Sequence, residues 1–508
     1  MGSTKEIGNV PKEQQRNAQV VSRYYSKLIA EPAPDLSELN LFATLLPKGG
    51  DLHHHYSGAI YAEDYLDWVG KKNYCVYLED HVEKGSDPSQ HRYFKKYQIE
   101  RREFATLPKP VQDICVSAKD IFTSNSLADF YRGLLMKWSD KDYENHYHEQ
   151  PAPDQQFFAT FGYFGGVSDY DYHAGLQSLK ERAKAENVQY LETMLKGAPT
   201  VEDADLDKKL NALNAQSSDA ERADAFTAYA NFMAGDAKAN AQIETYVQSV
   251  EEAAANLDDA DFKLRFQSYV SRGSTPAKVF SGLYSAFAAS NVSPLIVGVN
   301  IVGPENGYVA MCDYSLHMHM FQFLKQRFPK VKLALHAGEL TLGMVPPEGL
   351  KNHIREAVQI AGANRIGHGV DVSYESDPDQ LLALLKARNV AIEVNLTSNA
   401  VILGVKNEEH PIQLYRNYGV PFVISTDDAG VSRNNLSGEY MLFISRYKPS
   451  YIELKKVVYN SIRYSFLSDG EKAEQIKVLD QRFARFEARV VTLVRARRPV
   501  VAHGRVGA

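Results

Sequence analysis

His53 and His55 close the run Gly50-Asp51-Leu52-His53-His54-His55. Side chains alternate faces along a strand, so these two imidazoles share a face while His54 turns away. Two imidazoles on one face can hold a divalent metal. His336 ends the run Leu333-Ala334-Leu335-His336, and Glu339 follows three residues on. His368 ends Ile366-Gly367-His368, and Asp427-Asp428 follow an apolar run through Ser425-Thr426. Zinc takes nitrogen and oxygen ligands and keeps a position open for water in catalytic sites, a need that three histidines and one aspartate meet. Bound zinc brings the pKa of water to about 7. A carboxyl that is not a ligand can then carry protons, which suits Glu339. His368 can orient the nucleophile and stabilise charge as it forms. Asp428, beside the ligand Asp427, keeps a carboxyl free for substrate. These residues alone argue for a mononuclear metal hydrolase of a polar, nitrogenous substrate. The pair His317 and His319 carries the opposite expectation. It lies in a helical stretch, where residues two apart diverge, so surface or core packing is its reading.

Such side chains can meet only if distant parts of the chain bring them to one place. Eight short apolar runs have strand-like composition, most followed by a helical stretch. They are Gly50 to His53, Val188 to Leu195, Phe262 to Val270, Pro294 to Val302, Val331 to His336, Arg365 to Gly369, Asn389 to Leu396 and Pro421 to Thr426. Strands alternating with helices predict an α/β fold of the (β/α)8 TIM-type barrel, whose active sites lie at the C-terminal ends of the strands. Helices such as Gly349 to Ala361 and Pro378 to Ala387 make the last four units compact.

Residues 1–46 form an N-terminal helical extension, with a polar-apolar helical lead over 11–46, and the barrel occupies 47–498. Two insertions interrupt it. One, about 71–150, is rich in Tyr, Lys, His and Asp and reads as mostly helical. The other, about 200–257, has helical periodicity and lacks the Pro/Gly density of a linker. Residues 499–508 read as a flexible tail.

The chain has 508 residues, 44% hydrophobic and 24% charged, ordinary values for a globular protein. A formal net charge of -6 gives no general attraction to phosphate backbones, which argues against nucleic acid as a partner. No stretch approaches the ~20 consecutive apolar residues of a membrane span, which argues against a membrane partner. The polar start Met1-Gly2-Ser3-Thr4-Lys5 lacks the apolar core of a secretory signal. That start reads as cytoplasmic, with a secreted or periplasmic location open if a signal peptide has been removed. Three cysteines, Cys75, Cys115 and Cys312, exclude a disulfide framework and a thiolate zinc site. Cys75 and Cys115 could form one bridge, and buried free thiols are the alternative.

Taken in order, the segments resemble the adenosine deaminase family of the amidohydrolase superfamily. The likeness runs through Pro47-Lys48-Gly49-Gly50-Asp51-Leu52-His53-His54-His55, Phe157 to Phe161, Tyr190-Leu191-Glu192 and Gly298 to Glu305. It continues through His336-Ala337-Gly338-Glu339, Arg365 to Gly369, Glu393 to Asn399, His410-Pro411 and Ser425 to Asp428. The resemblance implies one Zn2+ per chain on His53, His55, His336 and Asp427. It further implies Glu339 as the group that protonates purine N1 and His368 as the group that positions a metal-bound hydroxide. Asp428 would face N7, and the backbone N–H of Gly303 would face N3. The implied reaction is hydrolytic deamination at C6 of adenosine or 2′-deoxyadenosine, a small-molecule purine nucleoside or nucleotide being the partner.

One position departs from the family. An aspartate usually stands two residues after the second histidine and meets the ribose 5′-hydroxyl, whereas this chain has Ser57. Losing that carboxylate removes repulsion towards a phosphate, so AMP-like substrates are the alternative expectation. A serine that bonds the same hydroxyl is the plainer one. The Pro-Lys-Gly-Gly lead-in, the helical N-terminus and the first insertion resemble the growth-factor-related branch, which implies a homodimer and, in another functional class, a receptor-binding protein with a vestigial pocket. The intact ligand set and Glu339 argue against the last.

Overall fold

Strands buried on both faces need no polar alternation, which is why the eight runs are nearly continuous in apolar residues. The computed structural model describes residues 11–30, 34–141 and 151–496. The runs become β1 (Gly49–His55), β2 (Val188–Gly197), β3 (Lys263–Ser271) and β4 (Ile296–Val302). They continue as β5 (Lys332–Ala337), β6 (Arg365–His368), β7 (Ala391–Val394) and β8 (Phe422–Ile424). The eight strands neighbour one another in chain order, and each pairing is parallel. Just past β8 the chain returns to β1. The Asp427 N–H donates to the His53 carbonyl at 2.9 Å, and the His55 N–H donates to the Asp427 carbonyl at 3.4 Å. The sheet is therefore a nearly closed TIM-type barrel with helices outside it.

Before β1 lie α1 (Lys12–Ala30) and α2 (Leu36–Leu45). Asp35 caps α2, accepting from the N–H groups of Ser37 at 2.9 Å and Glu38 at 3.0 Å.

The first insertion departs from the mostly helical expectation. Cys75–Tyr77, Ile99–Glu100 and Cys115–Ser117 form a three-stranded antiparallel sheet, and His81–Glu83 pairs with Arg92–Phe94. Strands of two or three residues are too short to show a period of two in sequence. Cys75 and Cys115 are joined by a disulfide, with Cα atoms 5.6 Å apart. The bridge answers the choice between paired and free thiols, and Cys312 is free and exposed. Ala118–Thr123 and Ala128–Lys137 are helical as expected. Residues 142–150, Met1–Lys5 and the tail 499–508 lie outside the described residues.

Helix α3 (Pro153–Phe164) leads back towards the barrel. The second insertion is three helices, Ala204–Asn211, Asp219–Gly235 and Ala237–Ala253, the middle one opened by a Ser218/Glu221 capping box. The long C-terminal helix α4 (Asp469–Ala496) ties the N-terminus down: Phe42 of α2 lies 5.3 Å from Tyr25 of α1 and 5.3 Å from Phe486 of α4. No helix among the described residues is long and apolar enough to cross a membrane.

Candidate active site

The ends of β1, β5, β6 and β8 deliver the side chains singled out from sequence. Asp427 sits at φ +62° and His368 at φ +68°. Such backbone costs a non-glycine residue about 1–3 kcal/mol, so the surroundings must hold it. For Asp427 they do so through Asp51, whose carboxyl accepts from the Thr426 hydroxyl at 2.6 Å and locks the end of β8 to β1.

His53, His55, His336 and Asp427 each offer a ligand atom, all within 4.8 Å of one another. Asp427 Oδ1 lies 3.3 Å from both His53 Nε2 and His55 Nε2. His55 Nε2 lies 3.2 Å from His336 Nε2. Behind the cluster, His53 Nδ1 meets Glu393 Oε2 at 2.7 Å and His336 Nδ1 meets Asn300 Oδ1 at 2.9 Å. Each partner takes a proton on Nδ1 and turns a bare Nε2 inward, the arrangement a metal ligand needs. His53 Nε2 is buried without a hydrogen-bond partner. Burial works against a charge on His53, but Asp427 and Glu393 outweigh it and push the imidazole up to about 10, so the surroundings favour positive charge at this point. Three nitrogens, one carboxylate oxygen and an unsatisfied inward atom fit a divalent cation such as zinc. Glu393 is itself held by Arg365, which also pairs with Glu192 beneath the site.

Two glycines are spatial requirements. A Cβ at Gly367 would come 2.7 Å from His53 Cε1, and one at Gly58 would come 1.5 Å from Asp428 Oδ1. His54 turns away as expected and meets Thr193 Oγ1 at 2.8 Å.

Beside the cluster lie the other acids. Burial first, then the neighbouring Asp427 carboxylate, raises the Glu339 carboxyl well above its usual range, and the same two causes raise Asp428. Both groups favour their protonated forms. The Glu339 turn rests on Glu305, which accepts from the N–H groups of Gly338 at 3.0 Å and Glu339 at 2.9 Å. Burial opposes the Glu305 charge, but Arg272 and His353 overcome it and bring the carboxyl down to about 2. His368 Nδ1 is 3.6 Å from Glu339 Oε1, and its Nε2 is 3.8 Å from Asp427 Oδ2. The His317 ring is buried in the core and His319 is half-buried on its helix, far from ligand duty as the spacing predicts.

Above this floor opens a cavity of about 440 Å³, within the range of small-molecule sites. His55, His336, Glu339, His368, Asp427 and Asp428 line its polar end; Ser57, Gly303, Phe157, Phe158, Phe161 and Tyr269 line the rest. Every residue expected at the site except His53, which lies buried behind the cavity wall, thus borders the cavity. Sequence reasoning gave no role to Asn300, Glu305 or Glu393. The available signal was a polar residue inside an apolar strand, as in Val299-Asn300-Ile301 and Ile392-Glu393-Val394, since a buried polar group must have a partner.

The family profile described as adenosine deaminase matches residues 232–482. Over that stretch the chain is similar to the adenosine deaminase family. An adenosine deaminase of Clostridium kluyveri is 30% identical over 174 residues, 34% of this chain and 45% of the relative. The chain thus aligns with less than half the length of that relative. In fold, it is similar to an adenine deaminase from Arthrobacter aurescens, with a TM-score of 0.53 at 17% identity over 86% of this chain and 98% of the other. It is also similar to an Arabidopsis N6-mAMP deaminase, with a TM-score of 0.51 at 17% identity over 87% and 99% of the two chains. At that identity the two structures speak for the family's barrel and not for a substrate.

Proposed function

We propose that the protein hydrolyses the 6-amino group of adenosine and 2′-deoxyadenosine, giving the inosine product and ammonia with one zinc ion per chain. The observation that carries this reading is a single cavity floor that joins a three-histidine, one-aspartate cluster to two carboxyls favouring their protonated forms. A divalent cation held by His53, His55, His336 and Asp427 would acidify water enough for it to act as a nucleophile at neutral pH. His368 holds the water for attack on C6. Glu339 hands a proton to purine N1, which draws electrons from C6. Asp428 shares its proton with N7. The Gly303 N–H faces N3 from a backbone at φ +101°, a shape that glycine adopts without strain. As the C6–N bond breaks, the exocyclic nitrogen takes a proton that the attacking water has given up, passed on by Glu339 once its own has gone to N1, and leaves as ammonia.

Ser57 removes repulsion towards a 5′-phosphate, but no lysine or arginine lines the cavity among the described residues to attract one. Nucleosides therefore rank above AMP in this reading. Steady-state turnover of adenosine, 2′-deoxyadenosine, AMP and cyclic AMP, followed by loss of the adenine absorbance, tests it. AMP turned over as fast as adenosine would contradict the nucleoside preference. No deamination of any of the four by zinc-loaded protein would contradict the reading as a whole.

A further inference from the structure

Behind His368 runs a chain of hydrogen bonds whose polarity is fixed at its far end by a backbone amide. The Ile412 N–H can only donate, and it donates to His410 Nδ1 at 3.2 Å. His410 must then carry its proton on Nε2, which lies 3.0 Å from Asn399 Oδ1. That bond orients the Asn399 amide, so its Nδ2 donates to His368 Nδ1 at 3.0 Å. The Asn395 amide nitrogen also faces His368 Nδ1, at 3.4 Å. His368 and His410 are both buried, and a neutral ring has one proton to place. With Nδ1 accepting, the proton of His368 falls on Nε2, the atom that points towards Asp427 Oδ2 at 3.8 Å.

We propose that His410 and Asn399 are positioning residues that fix His368 as the Nε2–H tautomer, making it a hydrogen-bond donor to the attacking oxygen and unable to act there as a base. This rests on the deaminase reading of the site. It also divides the labour: a donor at Nε2 can orient an oxygen nucleophile and stabilise its charge, while proton transfer falls to Glu339. The distinction matters because a neutral imidazole offers one donor and one acceptor, and the wrong choice inverts its role. Gly367 and Gly369 flank the ring on the chain and carry no charge, and Glu339 Oε1, at 3.6 Å from Nδ1, stands farther off than the Asn399 amide at 3.0 Å.

The test uses the full-length, metal-loaded protein labelled with nitrogen-15 in histidine. Long-range proton–nitrogen spectra distinguish the two neutral tautomers, with His368 assigned by comparison with His368→Asn. Wild type should show His368 protonated on Nε2. His410→Leu frees the Asn399 amide to turn over, so the His368 signal should shift to the Nδ1–H form or to a mixture. In the same variant kcat should fall about 10- to 100-fold, as for other partners behind a site, with KM within about threefold and metal content unchanged. His410→Gln, which can still donate to Asn399, should recover part of kcat. If His410→Leu fails to fold, Asn399→Leu offers the same spectral readout from the other end of the relay. A wild-type spectrum with His368 protonated on Nδ1 would overturn the proposal, as would a His410→Leu variant whose spectrum and kcat match wild type. Absence of deamination by wild type would instead remove the deaminase reading, and the spectra would still decide the tautomer.

Discussion

The floor of the cavity and the wall opposite it hold their side chains by different means. On the floor three of the four imidazoles lean on a polar partner: His53 on Glu393, His336 on Asn300, and His368 on Asn399. The phenylalanines of the wall, from α3, pack ring on ring, Phe157 against Phe158 at 5.2 Å and against Phe161 at 5.9 Å, and Phe161 against Phe164 at 5.4 Å. Floor residues stand at the ends of barrel strands, whereas the wall is one helix between an insertion and β2. Hydrogen bonds fix direction, which proton transfer and metal ligation require; ring packing fixes only volume, which is enough to cover an apolar face of a substrate. Changes on the floor should therefore act on metal and kcat, and changes on the wall on KM.

The largest effect is expected from Asp427→Ala, which removes one ligand and uncovers the charge on the others. Metal analysis should show loss of the ion together with loss of activity; a variant that keeps a full ion would remove Asp427 from the cluster. Glu339→Gln should come next, retaining the metal while kcat drops by about 100-fold or more, since a general acid contributes about 10²–10⁴. Activity within tenfold of wild type would reassign the proton carrier. Glu393→Gln leaves every ligand in place and weakens only the support of His53, so chelator competition should read an affinity for zinc lowered about 10- to 100-fold. On the wall, Phe161→Ala should raise KM about tenfold, near 1–2 kcal/mol for a partly buried ring. Its kcat should remain close to wild type, and a kcat that falls with KM unchanged would erase the contrast between wall and floor. Smallest at the site is the disulfide. Replacing Cys75 and Cys115 by serine should lower stability by about 3–4 kcal/mol for a loop of this length, read as a lower Tm, while kcat/KM for adenosine stays the same.

The same contrast governs what could be read before any coordinates. The floor was legible because each of its groups ends an apolar run, and a barrel gathers strand ends at one rim. What stands behind the floor was not legible. The bond from His53 to Glu393 joins residues separated by 340 positions, and no local pattern encodes it. Glu393 and His410 were visible as parts of a family likeness, without a physical task. The relay through Ile412 emerges only when the polarity of one backbone amide is followed outward. In the first insertion the reading failed for a different reason: its strands are short and draw their order from the Cys75–Cys115 bridge and from packing of Tyr77 against Phe94 at 4.7 Å. The helices of the second insertion, 17 residues long in two cases, carry several turns of periodicity and were readable.

The central claim is that imidazoles and an acid from three distant strand ends hold one cation that makes deamination possible. Metal-free protein titrated with zinc, with adenosine turnover recorded at each addition, tests this most directly. Activity should rise in proportion to added zinc and level off at one ion per chain. Full turnover by the metal-free protein, or none with one zinc bound, would contradict the account.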